Sequence, residues 1–220
     1  MNIALIGYGK MGQLIEQIAL EKGHHISVIV NSSNPIENQD FSSTDVAIDF
    51  STPNSAYHNI KCVLTQGIPV VSGTTAWLEN LDNVKQLAKE KATGFLYASN
   101  FSIGVNLFFE LNKKLSQLMQ NQSEYKASIK EIHHTEKLDV PSGTALSLQS
   151  QIPNTIDIES ERTENVPGTH IVNYDSEIDS ISITHIAHNR MGFAQGALIA
   201  AEWIIDKKGC FSMSDILKIN

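Results

Sequence analysis

The sequence predicts an α/β fold: a parallel sheet covered by helices on both faces, followed by a second, α+β domain. Three observations carry that expectation. Short β-branched runs alternate with helical stretches through residues 1–101. A glycine-rich turn, Gly7-Tyr-Gly-Lys-Met-Gly12, joins the first apolar run to the first helical stretch. After Phe101 the rhythm changes to a long helix and then to strands that read as antiparallel.

Residues 3–6 read as a buried strand. Residues 11–22 read as a helix with Met11, Leu14, Ile15, Ile18 and Ala19 on its apolar face, stopped by Gly23. Strands follow at 26–30 and 46–50. Pro53 opens a helix behind a Thr52 cap, because proline suits the first helical turn. A fourth strand at 68–71, a helix at 78–91 and a fifth strand at 95–98 complete the alternation. Beyond it come a helix at 104–119, a strand at 125–132, a short helix after Thr144, strands at 170–174 and 180–186 and an apolar helix at 194–205. Residues 151–168 are polar and read as loop.

Composition narrows the function. The 220 residues suffice for one large domain or two small ones. Hydrophobic residues at 41% and charged residues at 18% suit a globular chain rather than a disordered one. A net charge of -8 argues against a nucleic-acid partner. Cys62 and Cys210 fit no metal or disulfide spacing and read as free thiols. The first residues carry no basic start and no cleavage site, and no apolar run reaches the length of a membrane span. A cytoplasmic enzyme with no membrane partner is expected.

The glycine turn matches G-x-G-x-x-G in the context that gives that motif meaning, after a strand and at the start of a helix. Gly7 suits the tight turn, Gly9 a close approach of backbone to pyrophosphate, and Gly12 a close approach of helix to strand. The helix N-terminus adds N–H groups and partial positive charge. A Rossmann-type dinucleotide-binding domain is expected, with NADH, NADPH or both as cofactor. Such folds often place an acid after the second strand to hold the adenosine ribose. Here Asn31 stands there, followed by Ser32, Ser33 and Asn34. Asn31 can bond a ribose hydroxyl without repelling a 2′-phosphate, and the loop has no lysine or arginine; Lys10 is the nearest cation in sequence. The loop supplies neither clear attraction nor clear repulsion, which predicts weak discrimination between the two cofactors.

The most informative stretch is Glu131-x-His133-His134-x-x-Lys137-x-Asp139-x-Pro141-Ser142-Gly143-Thr144. It combines a proton donor, neighbouring cations and a Ser-Gly-Thr turn at a helix start, where backbone N–H groups and two hydroxyls can face an anion. A small dicarboxylate suits it. Two other readings stand beside that one: histidines satisfied within a core, and a metal held by His133, His134, His170 and His185. Adjacent strand residues point to opposite faces, which makes His133 and His134 awkward joint ligands, and no metal is expected.

With these segments in place, the sequence resembles the dihydrodipicolinate reductase family, also called 4-hydroxy-tetrahydrodipicolinate reductases, nearly end to end. The resemblance is carried by the glycine turn, Asp49-Phe-Ser51, Gly73-Thr-Thr75, Ser99-Asn-Phe-Ser102 with Gly104-Val-Asn106, and the His-His-Lys segment. Gly168-Thr-His170 and His185-x-Ala187-x-x-Arg190-x-x-Phe193-Ala-x-Gly196-Ala197 extend it. It implies a reductase of diaminopimelate and lysine biosynthesis acting on a cyclic imine dicarboxylate. His133 is the implied proton donor, with Lys137 as a second donor or stabiliser. His134, Ser142, Gly143, Thr144 and Arg190 are implied to hold the carboxylates. Gly7, Tyr8, Gly9, Lys10, Met11, Gly12, Asn31, Gly73, Thr74, Thr75, Ala98, Ser99, Asn100 and Phe101 are implied to hold the cofactor. Residues 1–102 with 190–220 form the expected dinucleotide-binding domain, and 103–189 the substrate-binding and oligomerisation domain of a homotetramer. Departures from the family pattern are Asn31 in place of the common acid, Glu164 where glycine is usual, and a short loop at 151–161. Two rivals share only the glycine turn: another two-domain dehydrogenase, such as one acting on an amino-acid semialdehyde, and a non-catalytic NAD(P)H-binding sensor.

Overall fold

A computed structural model describes residues 1–153 and 156–219. The chain divides into two compact units, Met1–Ser102 with Phe193–Asn220, and Ile103–Gly192.

The first unit opens with β1 (Asn2–Ile6), α1 (Lys10–Glu21), β2 (His25–Val30), β3 (Val46–Asp49), α2 (Pro53–Thr65), β4 (Val70–Ser72), α3 (Leu81–Glu90) and β5 (Gly94–Tyr97). A single 3₁₀ turn at Leu78–Asn80 precedes α3, where one continuous helix was expected. The strands are parallel; β1, β3, β4 and β5 are nearly fully buried and read as largely apolar runs, whereas the edge strand β2 buries only Val28 and Val30. α1 buries Gly12, Ile15, Ile18 and Ala19, which fall on one stripe at helical spacing. α2 begins with a capping box: Thr52 and Ser55 each accept from the other's backbone N–H.

The second unit holds α4 (Ile103–Met119), β6 (Lys126–His133), α5 (Gly143–Ser150), β7 (Ile158–Arg162), β8 (Gly168–Asp175) and β9 (Ser180–Ala187). Its sheet runs β7-β6-β8-β9, with β6, β8 and β9 antiparallel and β7 parallel to β6. One sheet face packs Ile129, Val172 and Tyr174 with Phe108, Ala145 and Leu148 of the helices. The other face leaves Ser182, Thr184 and Ile186 exposed. β7 corrects the expectation of a loop through 151–168; positions 154 and 155 of that stretch lie outside the described residues. The sequence Ile-Glu-Ser-Glu-Arg alternates, but its inward side is polar because it meets a polar cluster on β6, so no apolar period marks it.

α6 (Met191–Ile204) runs back into the first unit, followed by β10 (Gly209–Phe211) and α7 (Met213–Leu217). β10 adds a sixth parallel strand beside β5, giving the order β10-β5-β4-β3-β1-β2. Three residues, one of them glycine, are too short a run to announce a strand. Gly196 is obligatory in α6, since a Cβ there would sit 1.8 Å from the Phe101 carbonyl oxygen. Among the described residues, no helix is long and apolar enough to cross a membrane.

Candidate active site

The expected cofactor residues follow the carboxyl ends of parallel strands: 7–12 after β1, Asn31 after β2, 73–75 after β4 and 98–101 after β5. β2 and β3 flank β1 on opposite sides, so the crevice for a ligand opens at the ends of β1 and β3. A cavity of about 650 Å³ lies there, lined by Gly7, Tyr8, Gly9, Asn31, Ser51 and Thr52 among others.

The three glycines differ in what requires them. Gly7 has φ +90°, and a Cβ would lie 2.2 Å from the Phe50 carbonyl oxygen. Gly12 would bring a Cβ within 2.3 Å of the Gly7 carbonyl oxygen, so it lets α1 approach the turn. Gly9 has an ordinary φ of -84°, and a Cβ there meets nothing within 4 Å. The protein's own packing therefore does not need glycine at position 9, whereas a ligand lying against that backbone does. α1 carries no side-chain N-cap and no acid in its first turn, which leaves its positive end for an anion. These features fit a dinucleotide pyrophosphate. Lys10 is exposed and Met11 half-buried; the Tyr8 hydroxyl bonds Glu16.

Asp49 organises the loops beside the crevice. It is fully buried and accepts from Ser51 Oγ at 2.6 Å, Ser72 Oγ at 2.8 Å and Thr74 Oγ1 at 2.8 Å. Burial raises its carboxyl above the usual range against these bonds. Thr74 Oγ1 also accepts from Ser51 N, and its carbonyl accepts from Trp77 Nε1, so Thr74 shapes the loop while Thr75 is exposed. Gly73 packs under the Phe50 ring, where a Cβ would come within 2.3 Å. Asn100 Oδ1 accepts from Ser102 N; Ser99 is exposed, Ala98 half-buried and Phe101 buried.

In the second unit, Glu131 and His133 are two residues apart on β6 and so share its inner face. Register places Glu131 opposite His170 of β8 and Ser160 of β7, and His133 opposite Arg162. The result is a buried polar cluster. Glu131 accepts from Ser160 Oγ at 2.8 Å and from Ser142 N at 3.1 Å, and Arg162 lies 3.4 Å away. Burial works to raise this carboxyl, but the bonds from Ser142 and Ser160 and the field of His133 outweigh it and hold it below its ordinary range. His133 Nδ1 lies 3.4 Å from Glu131 Oε2, without a hydrogen-bond partner. Burial pushes the His133 imidazole below its usual range; Glu131 opposes this, and Lys137 and Arg162 reinforce it. His170 is lowered to about 4, chiefly by burial and then by His133.

The expected anion-binding turn is built differently from the sequence expectation. Ser142 is buried, and its hydroxyl caps α5 by accepting from Ala145 N at 3.2 Å and contacts His170 Nε2 at 3.2 Å. The Ser142 hydroxyl therefore faces inward rather than outward, and Thr144 is half-buried. A Cβ on exposed Gly143 would meet nothing. Lys137 Nζ donates to both Asp139 oxygens, at 2.7 and 2.9 Å, and Asp139 also accepts from Gly143 N. His134 and Arg190 come together in the wall of a cavity of about 400 Å³ that also involves Glu164, Asn165, Pro167 and Asn189. His133, Lys137, Ser142, Gly143 and Thr144 are not among the residues lining it.

Glu131, His133 and His170 each place one potential ligand atom within 4.8 Å of the others. Glu131 is already engaged by two donors and a guanidinium, and Lys137 and Arg162 add positive field. That environment suits proton handling better than a cation. Sequence reasoning overlooked Glu131 and Arg162 as partners of His133. The i, i+2 spacing of Glu131 and His133 was the available signal, whereas the Arg162 contact required the unforeseen β7.

The family profile "Dihydrodipicolinate reductase, N-terminus" matches residues 1–101, and "Dihydrodipicolinate reductase, C-terminus" matches 104–217. A 4-hydroxy-tetrahydrodipicolinate reductase of Christiangramia forsetii is 48% identical, covering 99% of this chain and 98% of that protein. One of Thermosipho africanus is 35% identical, covering 99% and 98%. The solved dipicolinate-bound dihydrodipicolinate reductase of Paenisporosarcina sp. TG-14 shares the fold, with a TM-score of 0.76 at 22% identity over 96% of this chain and 97% of that one. With both profiles matched along nearly its whole length, the chain belongs to the dihydrodipicolinate reductase family.

Proposed function

We propose that this chain reduces a cyclic imine dicarboxylate, 4-hydroxy-tetrahydrodipicolinate, to tetrahydrodipicolinate in the diaminopimelate route to lysine, with His133 as the proton donor. The observation that carries the residue assignment is the buried pairing of His133 with Glu131 on one strand face. Loss of water from the substrate leaves a carbon–carbon double bond conjugated with the ring imine. Bound NADH or NADPH supplies hydride to the far end of that system. The electron pair moves toward the imine nitrogen, and a proton must reach the neighbouring ring carbon. His133 delivers that proton. Glu131 stabilises the protonated imidazole before transfer and keeps the ring oriented. Lys137, with the Gly143 and Thr144 start of α5, stabilises the developing ring charge. His134 and Arg190 hold a carboxylate, for which a guanidinium fork is well shaped. The glycine turn holds the pyrophosphate, with Gly9 giving its backbone close approach.

His133 is biased toward its neutral form in the free protein. A substrate dianion next to it reverses that bias, so substrate binding and proton uptake are coupled. The chain acts in the cytoplasm as a homotetramer associating through the open face of the second sheet. That face carries Ile186 at 55% exposure among small hydroxyl residues. The direct test is steady-state oxidation of NADH with substrate generated enzymatically in the cuvette. Substrate-dependent oxidation is expected, with competitive inhibition by pyridine-2,6-dicarboxylate. A protein that binds NADH but turns over nothing is a sensor. One that turns over only a semialdehyde belongs to the rival dehydrogenase class.

A further inference from the structure

The acid that folds of this kind place after the second strand is absent at Asn31, and the Asn31 side-chain oxygen is already engaged within its own loop. Its Oδ1 accepts from Ser33 N at 2.9 Å and from Asn34 N at 3.0 Å. Its backbone also pairs with Asn34 in both directions at 3.1 Å. The side-chain oxygen is thus turned into its own loop. This tight turn reverses the chain, and Ile36 then anchors it by burying itself among Val28, Val30 and Phe41. Glu37, next in sequence, is left on the exposed side of a 3₁₀ turn at Ile36–Asn38. There it reaches the wall of the same cavity that holds Gly9. His58 of α2 closes on it, with Nε2 2.8 Å from Glu37 Oε1.

The cavity wall near this end is formed by Asn31, Ser32, Pro35, Glu37, Ser55 and His58, and among the described residues no lysine or arginine lines the cavity. Lys10 is exposed and is not among the lining residues. The Glu37 carboxyl is held below its ordinary range by a backbone N–H and by His58, so it carries its charge at neutral pH. In a parallel sheet of this type, the adenosine ribose lies at the end of the second strand when the pyrophosphate lies on the glycine turn. Glu37 occupies that neighbourhood.

We propose that Glu37, steadied by His58, is the residue that selects the cofactor: it accepts hydrogen bonds from the ribose 2′- and 3′-hydroxyls and repels a 2′-phosphate, making the enzyme selective for NADH. The proposal rests on the placement of the pyrophosphate at Gly9. It replaces the weak discrimination expected from residues 31–34 alone, because the repulsive element lies beyond that loop in sequence and returns through its turn. Discrimination by one surface carboxylate is a matter of charge at short range, since screening at physiological salt acts over about 8 Å.

The test is fluorescence titration of NADH and NADPH against the intact enzyme and its variants at fixed ionic strength. The wild type is expected to bind NADH about tenfold or more tightly than NADPH. Glu37→Gln should bring the two constants within about threefold of each other, chiefly by tightening NADPH, and Glu37→Lys should invert the order. A wild type with no preference, or one that prefers NADPH through His58, overturns the proposal. A Glu37→Gln variant with an unchanged ratio does the same. Gly9→Val separates this failure from failure of the underlying placement. Its Cβ has open space in the protein, so the variant folds, and it should lose both cofactors together. If Gly9→Val binds both normally, the pyrophosphate lies elsewhere and the placement itself is wrong.

Discussion

His133 Nδ1 lies 3.4 Å from Glu131 Oε2 on the same face of β6, close enough for an ion pair but without a hydrogen bond in place. A neutral imidazole gains little from this arrangement. A protonated one gains a buried carboxylate partner. Removing the Glu131 charge therefore lowers the His133 pKa further, because Glu131 is the first of the influences that raise it. Activity that needs protonated His133 is lost as pH rises through that pKa. Glu131→Gln should accordingly move the falling limb of the kcat/KM profile to lower pH while leaving the NADH dissociation constant unchanged. His133→Ala should cost about 10²–10⁴-fold in turnover, the usual range for a lost general acid. A Glu131→Gln profile that falls in height without moving would assign Glu131 a structural role only.

The same cluster sets a pH dependence of stability. His170 has its pKa lowered from 6.5 to about 4 in the folded protein, chiefly by burial. Between those values the unfolded chain binds a proton that the folded one refuses, so stability rises with pH across the window. The contribution is complete above pH 6.5 and is lost as pH falls toward 4. Its full size is about 3 kcal/mol at 1.36 kcal/mol per pKa unit. Urea midpoints measured from pH 7 to pH 4.5 should fall steeply in the wild type and less steeply in His170→Gln. Equal slopes in the two proteins would show that other groups dominate acid unfolding.

The parallel half of the fold was legible because strands buried on both faces are largely apolar, as residues 3–6 and 46–48 are. The glycine turn was legible because Gly7 and Gly12 answer to backbone geometry, whereas no contact within the protein requires glycine at position 9. What stayed hidden depended on partners distant in sequence. β7 looks like loop because its inward Ser160 and Arg162 answer to Glu131, not to an apolar core. Ser142 read as a free hydroxyl because its helix start is visible in sequence and its burial against His170 is not. Glu37 lies only six residues past Asn31, yet nothing local says that the intervening turn brings it back to the cavity.

Gly168 bears on the proton donor directly. A Cβ at this position would lie 3.1 Å from His133 Nε2 and 3.3 Å from its Cδ2. Gly168 also has φ +157°, where an L side chain is strained, so Gly168→Ala should displace the ring and cost some stability, read separately as a lower urea midpoint. A misplacement approaching 1 Å can cost about 10²-fold in rate. The expected outcome is a kcat loss of about ten- to a hundredfold with the NADH dissociation constant unchanged. Near wild-type turnover in Gly168→Ala would mean that the observed ring position is not the working one.

Substrate affinity should depend on an internal competitor. Lys137 Nζ and Gly143 N, two groups expected to face the anionic substrate, are both engaged by Asp139. Asp139 is itself exposed, and an exposed ion pair is weak, so a dicarboxylate can displace it. Asp139→Asn should then tighten binding of pyridine-2,6-dicarboxylate several-fold, because the incoming anion no longer competes with a resident one. Lys137→Ala and Arg190→Ala should each weaken it by roughly ten- to a hundredfold, as loss of a charge-assisted bond of about 1.5–3 kcal/mol requires. The gain from Asp139→Asn should vanish in the Lys137→Ala background, since residues that share one partner are not additive. Calorimetric titration of the four variants at fixed salt reads all of these. If Asp139→Asn weakens the dicarboxylate instead, Asp139 positions Lys137 rather than competing for it, and if Arg190→Ala changes nothing, Arg190 lies outside the substrate site.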